Sequence, residues 1–570
     1  MLRNPLPLLF AVILSPMLVQ AQEVELTIEG LKSFRKDNVD AYLSAIPKEE
    51  YSTSIRFQAR LQRTITEALN AVGYYQPTFE FEVSEDKTEL IVKVSQGSSV
   101  RYKEVEIVIT GEAKDDPDFI AAIEASGLKK GERLNHGEYD SLKSKLRNLG
   151  LQKGYFDAKF TTSRLEIAPD LYQAFVRLHF DSGIRYHFGA TEITGSQIKI
   201  ERVRSLSPFQ EGDPYLVSQV GEYNQNLSNT DWFSSVLVEP DLSLLGEGRE
   251  LPMKVSLAPQ ARHQLETGLG YSTDVDVRAS LKWKRPWVNS LGHSFDSSLS
   301  VSSPEQTLTA SYRIPLEDVL NDYYRIHYGM KRVDSRDTKS IESNLALERH
   351  WKLDNDWNRT IFIRYLLENY EQGLQDDNAQ FLLPGITFSR IRARGGAMPT
   401  WGDSQYITLE YGSENALSET DVIRVLGGMK WIRSAGENHR GLFRIDGGAN
   451  FADDFDKLSP SLRFFAGGDN NLRGYGYESI SPKDESGALT GAKYIATTSL
   501  EYQYRLYGNW WGALFYDYGD AFNDTPEFKR GTGVGVRWAS PVGPIRLDFA
   551  WGLDKDPTDF KIHFSLGPEL

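Results

Sequence analysis

Two hydrophobic periods divide this chain. Up to about residue 260, apolar residues return every three or four positions. Leu61, Ile65 and Leu69 form one such set, and Leu142, Leu146 and Leu149 a second. Leu216, Val220, Tyr223 and Leu227 form a third. This spacing puts each set on one helix face. From about Arg262 the period becomes two. Tyr324, Ile326, Tyr328 and Met330 alternate with Arg325, His327, Gly329 and Lys331. Ile361, Ile363, Tyr365 and Leu367 follow, then Leu500, Tyr502, Tyr504 and Leu506, with Glu501, Gln503 and Arg505 between them. Val534, Val536 and Trp538, then Ile545, Leu547, Phe549 and Trp551, continue the pattern to Phe560, Ile562, Phe564 and Leu566. Alternation predicts strands with unlike faces.

The helical part repeats. The segments "VELTIEG", "VEIVITG" and "ATEITG" end at Gly30, Gly111 and Gly195. Each is followed by two helical runs and an aromatic turn: "VGYYQPTFEFEV", "KGYFDAKF" and "TDWFSSVLVEP". Two strands close each unit, so the order is β-α-α-β-β. Three α+β domains follow, each with two helices on a three-stranded sheet. The predicted boundaries are residues 22–98, 99–184 and 185–261, with residues 262–570 as a separate all-β domain.

The charged face on almost every late strand changes the meaning of the alternation. A soluble β-sandwich also alternates. A very aromatic apolar face opposite a charged one fits lipid outside and water inside instead, with aromatics near the strand ends as interfacial anchors. The roughly 300 remaining residues, at about 19 per strand and turn, make a 16-stranded antiparallel transmembrane β-barrel.

Composition agrees. The 570 residues include 47 Gly and no Cys, aromatics make up 12%, and net charge is −15. Without cysteine there is neither a disulfide nor a thiolate metal site. The acidic balance argues against nucleic acid as a partner. The segment "MLRNPLPLLFAVILSPMLVQAQE" reads as a signal peptide over residues 1–21, and no later run is apolar enough for a spanning helix. No G-x-S-x-G, H-E-x-x-H or P-loop motif is present. The expectation is a non-enzyme with no cofactor and no metal.

The C-terminal motifs add a resemblance. "FFAGGDNNLRGYGYESISP" resembles the Arg-Gly-aromatic loop of the outer-membrane assembly superfamily, BamA-like proteins that carry POTRA domains before a barrel. "LFYDYGDAF" and "SPVGPIRLDFAWGL" are similar to that superfamily's late strand motifs, and "FKIHFSLGPEL" looks like its terminal strand. The three β-α-α-β-β units resemble POTRA domains, and their number points to the TamA branch, the outer-membrane subunits of translocation and assembly modules. The resemblance implies the outer membrane of a Gram-negative bacterium, with POTRA domains in the periplasm. It implies a TamB-like inner-membrane-anchored partner on those domains. It also implies nascent outer-membrane or autotransporter clients, and contact with outer-membrane lipid. A two-partner-secretion pore exporting one dedicated passenger is the alternative.

Strand phase and this resemblance together nominate a site. Leu500 and Tyr502 face lipid, so Glu501 faces the lumen. Asp517, between Tyr516 and Tyr518, does the same, as do Arg546 and Asp548. The expectation is that the loop at Leu472–Tyr475 folds into the barrel. There Arg473 meets Asp517, with Glu501 as second acceptor. Gly474 and Tyr475 form the tip, and Gly467 and Gly468 the hinge. The second candidate is the seam, where the first strand near Gln264–Thr273 should pair with the last. Gly567 and Pro568 weaken that last strand. Phe560, Ile562, Phe564, Leu566, Gly567 and Pro568 therefore make a candidate lateral gate. A disulfide between the Leu265 and Ile562 regions would lock it.

Overall fold

The computed structural model describes residues 24–244, 248–272, 274, 276–335, 337–396, 398–540, 543–554 and 559–566. The candidate signal peptide and the gate positions Gly567 and Pro568 lie outside these residues.

The first repeat runs Glu25–Glu29, helices Phe34–Leu43 and Ile55–Ala71, then strands Thr78–Val83 and Glu89–Ser95. Ser54 caps the second helix by accepting from the Phe57 amide, which satisfies one of the donors a helix start leaves over. Leu61, Ile65 and Leu69 are fully buried against Leu90, Val92 and Val94. The last strand lies in the middle of the sheet. It pairs in parallel with the first strand and antiparallel with the second. The second repeat copies this order with Arg101–Thr110, Lys159–Ala168 and Gln173–Asp181. Leu142 and Leu146 of helix His136–Gln152 enter its core beside Phe119 and Phe180. Asp116 and Pro117 start the helix Pro117–Glu124, with Asp116 as cap.

The third repeat has strands His187–Thr194, Phe233–Pro240 and Glu250–Pro259. It is divided between two compact units. Phe209–Gln219 and Pro240–Met253 group with the first two repeats, and Thr191–Pro208 and Val220–Glu239 with the barrel. Within the barrel unit, Trp232 Nε1 donates to the Gly292 carbonyl at 3.1 Å and Lys199 N to the Ser290 carbonyl at 2.9 Å. These bonds pin part of the repeat to the first barrel turn on the side where the barrel begins.

The barrel sheet has sixteen strands in sequence order, from Gln264–Ser272 to Asp559–Leu566, each paired antiparallel with the next. Leu345, Leu347, Ile361, Ile363, Leu500 and Leu514 stand exposed on the outer face, while Glu368, Asp403, Glu410 and Glu501 are buried inside. Lipid offers no hydrogen bonds, so the ladder must satisfy the backbone. One place departs from the closure expected above. Among the described residues no ladder joins the first strand to the last, which remain the two ends of the sheet. Side chains meet across the gap: the rings of Tyr271 and Phe564 lie 6.1 Å apart. This contact also corrects the expected locking pair, because Leu265 and Ile562 lie toward opposite ends of the antiparallel seam. Among the described residues the end strands run nine and eight residues, where the longest strand of the wall has 20.

Leu61→Ala should destabilise the first repeat by about 2–5 kcal/mol, the range for a fully buried leucine. Hydrogen exchange on the full chain checks this. Exchange should rise within Glu25–Ser95 and stay unchanged in the barrel strands.

Candidate functional site

The loop from Asp453 to Lys493 leaves the wall between strands His439–Ala452 and Tyr494–Tyr507. It folds into the lumen around a small core of its own. Leu458 and Leu462 pack against Leu366, Phe381 and Leu383 of the wall. Arg463 ties the loop's base by donating to the carbonyls of Leu458, Thr490 and Asp456 at 2.7, 2.8 and 3.0 Å. Gly467 and Gly468 have φ of 109° and 107°, a backbone conformation that favours glycine. Here the chain turns toward the tip. Asn471 closes the turn, accepting from the Gly467 amide at 2.7 Å and from Arg444 through its carbonyl at 2.8 Å.

Arg473 lies at the bottom, only 6% exposed. Its Nε and Nη2 donate to the two oxygens of Asp517 at 2.8 and 2.9 Å, a bidentate pair. Its own amide donates to Asp517 Oδ2 at 3.0 Å. Nη1 reaches Glu501 Oε2 at 2.7 Å and Asp548 Oδ2 at 3.3 Å. Nη2 also donates to Ser499 Oγ at 3.2 Å. The guanidinium carbon sits 3.5 Å from the centre of the Phe515 ring, close enough for a cation–π contact. Arg473, Glu501 and Asp517 are thus brought together.

Three further members complete the cluster. Arg537 is fully buried. It donates from Nη2 to Glu501 Oε1 at 2.8 Å and from Nη1 to Asp548 Oδ1 at 2.6 Å. Gln503 donates to Glu501 Oε1 at 2.7 Å. Asp548 was legible as inward-facing. Arg537, between Val536 and Trp538, has the same inward phase but carries no local sign of its partners. Arg473 and Arg537 share the three carboxylates Glu501, Asp517 and Asp548, and the charge of Arg444 also acts on Asp517.

Register explains the fit. Ser499 lies opposite Asp517, Asp517 opposite Gly531, and Gly531 opposite Gly552. One inward row therefore carries an acid and then two bare backbone positions. A Cβ on Gly531 would stand 2.0 Å from the Arg473 carbonyl, and one on Gly474 2.6 Å from the backbone of Trp551 and Gly552. The tip occupies a slot that side chains would fill. Tyr475 is buried beside it, donating to the Arg530 carbonyl at 3.2 Å. Asp554, near Tyr475 in the last turn, is held below the usual carboxylate range by hydrogen bonding to Arg530.

The tip also touches the seam. The Gly474 amide donates to His563 Nε2 of the last strand at 3.1 Å. The candidate gate residues Phe560, Ile562 and Leu566 are exposed on the outer face of that strand, and Phe564 meets Tyr271.

Arg473→Ala would leave three buried carboxylates short of a partner, and breaking one partner of a dry pair costs about 3–5 kcal/mol. Gly531→Ala would evict the tip without changing any charge. Both should make a cysteine placed at Tyr477 react faster with an extracellular maleimide. Equal reactivity in Gly531→Ala and the parent would mean that the slot does not hold the tip.

Comparison with known proteins places this geometry in a family. The Omp85 superfamily domain matches residues 244–569, and the POTRA domain TamA domain 1 matches residues 25–96. The outer membrane protein assembly factor BamA of Nitratidesulfovibrio vulgaris is 25% identical over 387 residues, 63% of this chain and 48% of that protein. BamA of Neisseria meningitidis serogroup B is 20% identical over 591 residues, 86% of this chain and 69% of that protein. The chain spans about half the length of the first of these. Among solved structures, BamA from Haemophilus ducreyi lacking POTRA domains 1–3 aligns with a TM-score of 0.68 at 14% identity. The alignment covers 82% of this chain and 99% of that one, a likeness of fold. The molecule is an outer-membrane barrel preceded by periplasmic POTRA units, and it belongs to the Omp85 superfamily.

Proposed function

We propose that this chain is a non-enzymatic outer-membrane assembly factor. It receives unfolded barrel or autotransporter-type clients from the periplasm and inserts or secretes them through a lateral gate between its first and last strands. The observation that carries this reading is the seam. Two short end strands face one another with no ladder between them among the described residues. An unpaired strand edge is a template for another strand. A client strand could add to Gln264–Ser272 and exchange its hydrogen bonds as it enters lipid, with no nucleotide required. The relatives named as assembly factors support this reading.

The first POTRA unit supplies a dock for a partner. Among the described residues its first strand pairs only on the side of the third, which leaves its other edge for a partner. Beside it runs a groove of ≈ 590 Å³ whose lining mixes Leu26, Ile28 and Tyr51 with Glu25, Asp40 and Lys48. An elongated, β-rich, TamB-like periplasmic protein would add a strand there.

The cysteine-free chain makes the gate testable. Tyr271→Cys with Phe564→Cys joins positions already in contact. Oxidation should abolish client insertion into vesicles, and reduction should restore it. Undiminished insertion with the seam locked would overturn the gate.

A further inference from the structure

We propose that Asp274, Asp469 and His563 form a proton-operated latch. It ties both edges of the seam to the lumen loop, closed while the two carboxyl groups share one proton and loosened when that proton leaves. The proposal rests on the gate reading above and adds its control.

The three residues come from the three parts that must move apart for a gate to open. Asp274 is in the turn after the first strand, Asp469 in the lumen loop and His563 in the last strand. Side-chain atoms of all three lie within 4.8 Å of one another. The Asp469 amide donates to Asp274 Oδ2 at 2.8 Å, and His563 Nδ1 meets Asp469 Oδ1. The amide of Gly474 can only donate, so His563 Nε2 must accept and the ring proton sits on Nδ1, facing Asp469. A cation on Nδ1 would force a proton onto Nε2, against that amide. The cluster is therefore built to hold protons.

Two carboxyl groups this close and largely shielded from water cannot both ionise cheaply. Burial, and then the charge of Asp469, push the Asp274 carboxyl up to about 6. An aspartate in the open, solvated turn would titrate near its ordinary value of about 4. The closed state binds the proton more tightly, so its full advantage is present below about pH 4. That advantage is lost as pH rises through about 6. A shift of about two units caps the change in the closed-to-open ratio at roughly 100-fold.

The other charged groups facing this point do not remove the effect. The last strand contributes Lys561, and the strand beside it Asp548, opposite His563 and already bonded by Arg473 and Arg537. The loop contributes Tyr477 and Glu478, the latter itself pushed up by burial, and Asp337 lies across the same space. Glu305 and Lys331 act on Glu478 with opposite signs. A cavity of ≈ 240 Å³ lined by Asp274, Tyr477, Glu478, Lys561 and His563 lies beside the latch and gives protons a route to it.

The test uses the full chain in nanodiscs with spin labels at Leu269→Cys and Ile562→Cys. The wild-type seam should give a narrow short distance at pH 5, and the ratio of long to short distances should rise by up to about tenfold at pH 7.5. Asp274→Asn keeps an acceptor for Asp469 without a second charge, and should stay narrow at both pH values. Asp469→Asn should do the same. His563→Gln should retain the pH response, because the proton belongs to the carboxyl pair. A pH-insensitive wild type, a response that survives in both asparagine variants, or one lost in His563→Gln would overturn the latch. The gate reading fails separately: a seam that responds to pH yet supports full client insertion when disulfide-locked would overturn the gate and leave the latch.

Discussion

A buried arginine organises this barrel. Placing Arg473 away from water is costly, and the cost is offset only when every donor finds an acceptor. Asp517 takes both its side-chain fork and its amide, while Glu501 and Asp548 take the remaining edge. Such a network tolerates little displacement. It therefore fixes the backbone of Gly474 within hydrogen-bond distance of the last strand. The position of the loop tip, the fit against Gly531 and Gly552, and the tie to His563 are consequences of one saturated guanidinium.

The second constraint is the bilayer. A wall in lipid must pair its own backbone, and fourteen of the sixteen strands do so on both sides. Among the described residues the two end strands do so on one side only. Among the contacts that join them are a ring contact and the tie through the lumen loop. Among the described residues the seam is thus the part of the wall where side chains meet without a ladder. Side-chain ties can be released by a proton or a competing strand at far smaller cost than a full ladder.

Much of this was legible in sequence because alternation is a local property. The switch from helical spacing to period two marked the domain change, and Leu500 and Tyr502 fixed the inward phase of Glu501. The glycines of the hinge marked a turn that other residues would strain. Which inward groups actually meet is a different matter. It depends on register across several hairpins. Ser499, Asp517, Gly531 and Gly552 form one row only through three successive pairings. Arg537 had the right phase but no local sign of its approach to Glu501. Asp274, Asp469 and His563 are hundreds of residues apart in part and share no pattern. Gly567 and Pro568 pointed to a weak last strand, but that no ladder closes the seam among the described residues depends on how the whole sheet tilts and staggers.

The coupling of loop to seam is best measured by hydrogen exchange of the Arg473→Ala chain in nanodiscs. Amides of Asp559–Leu566 and Gln264–Ser272 should exchange faster than in the parent, together with those of the loop tip. A loop that loses protection while both end strands keep theirs would contradict the account.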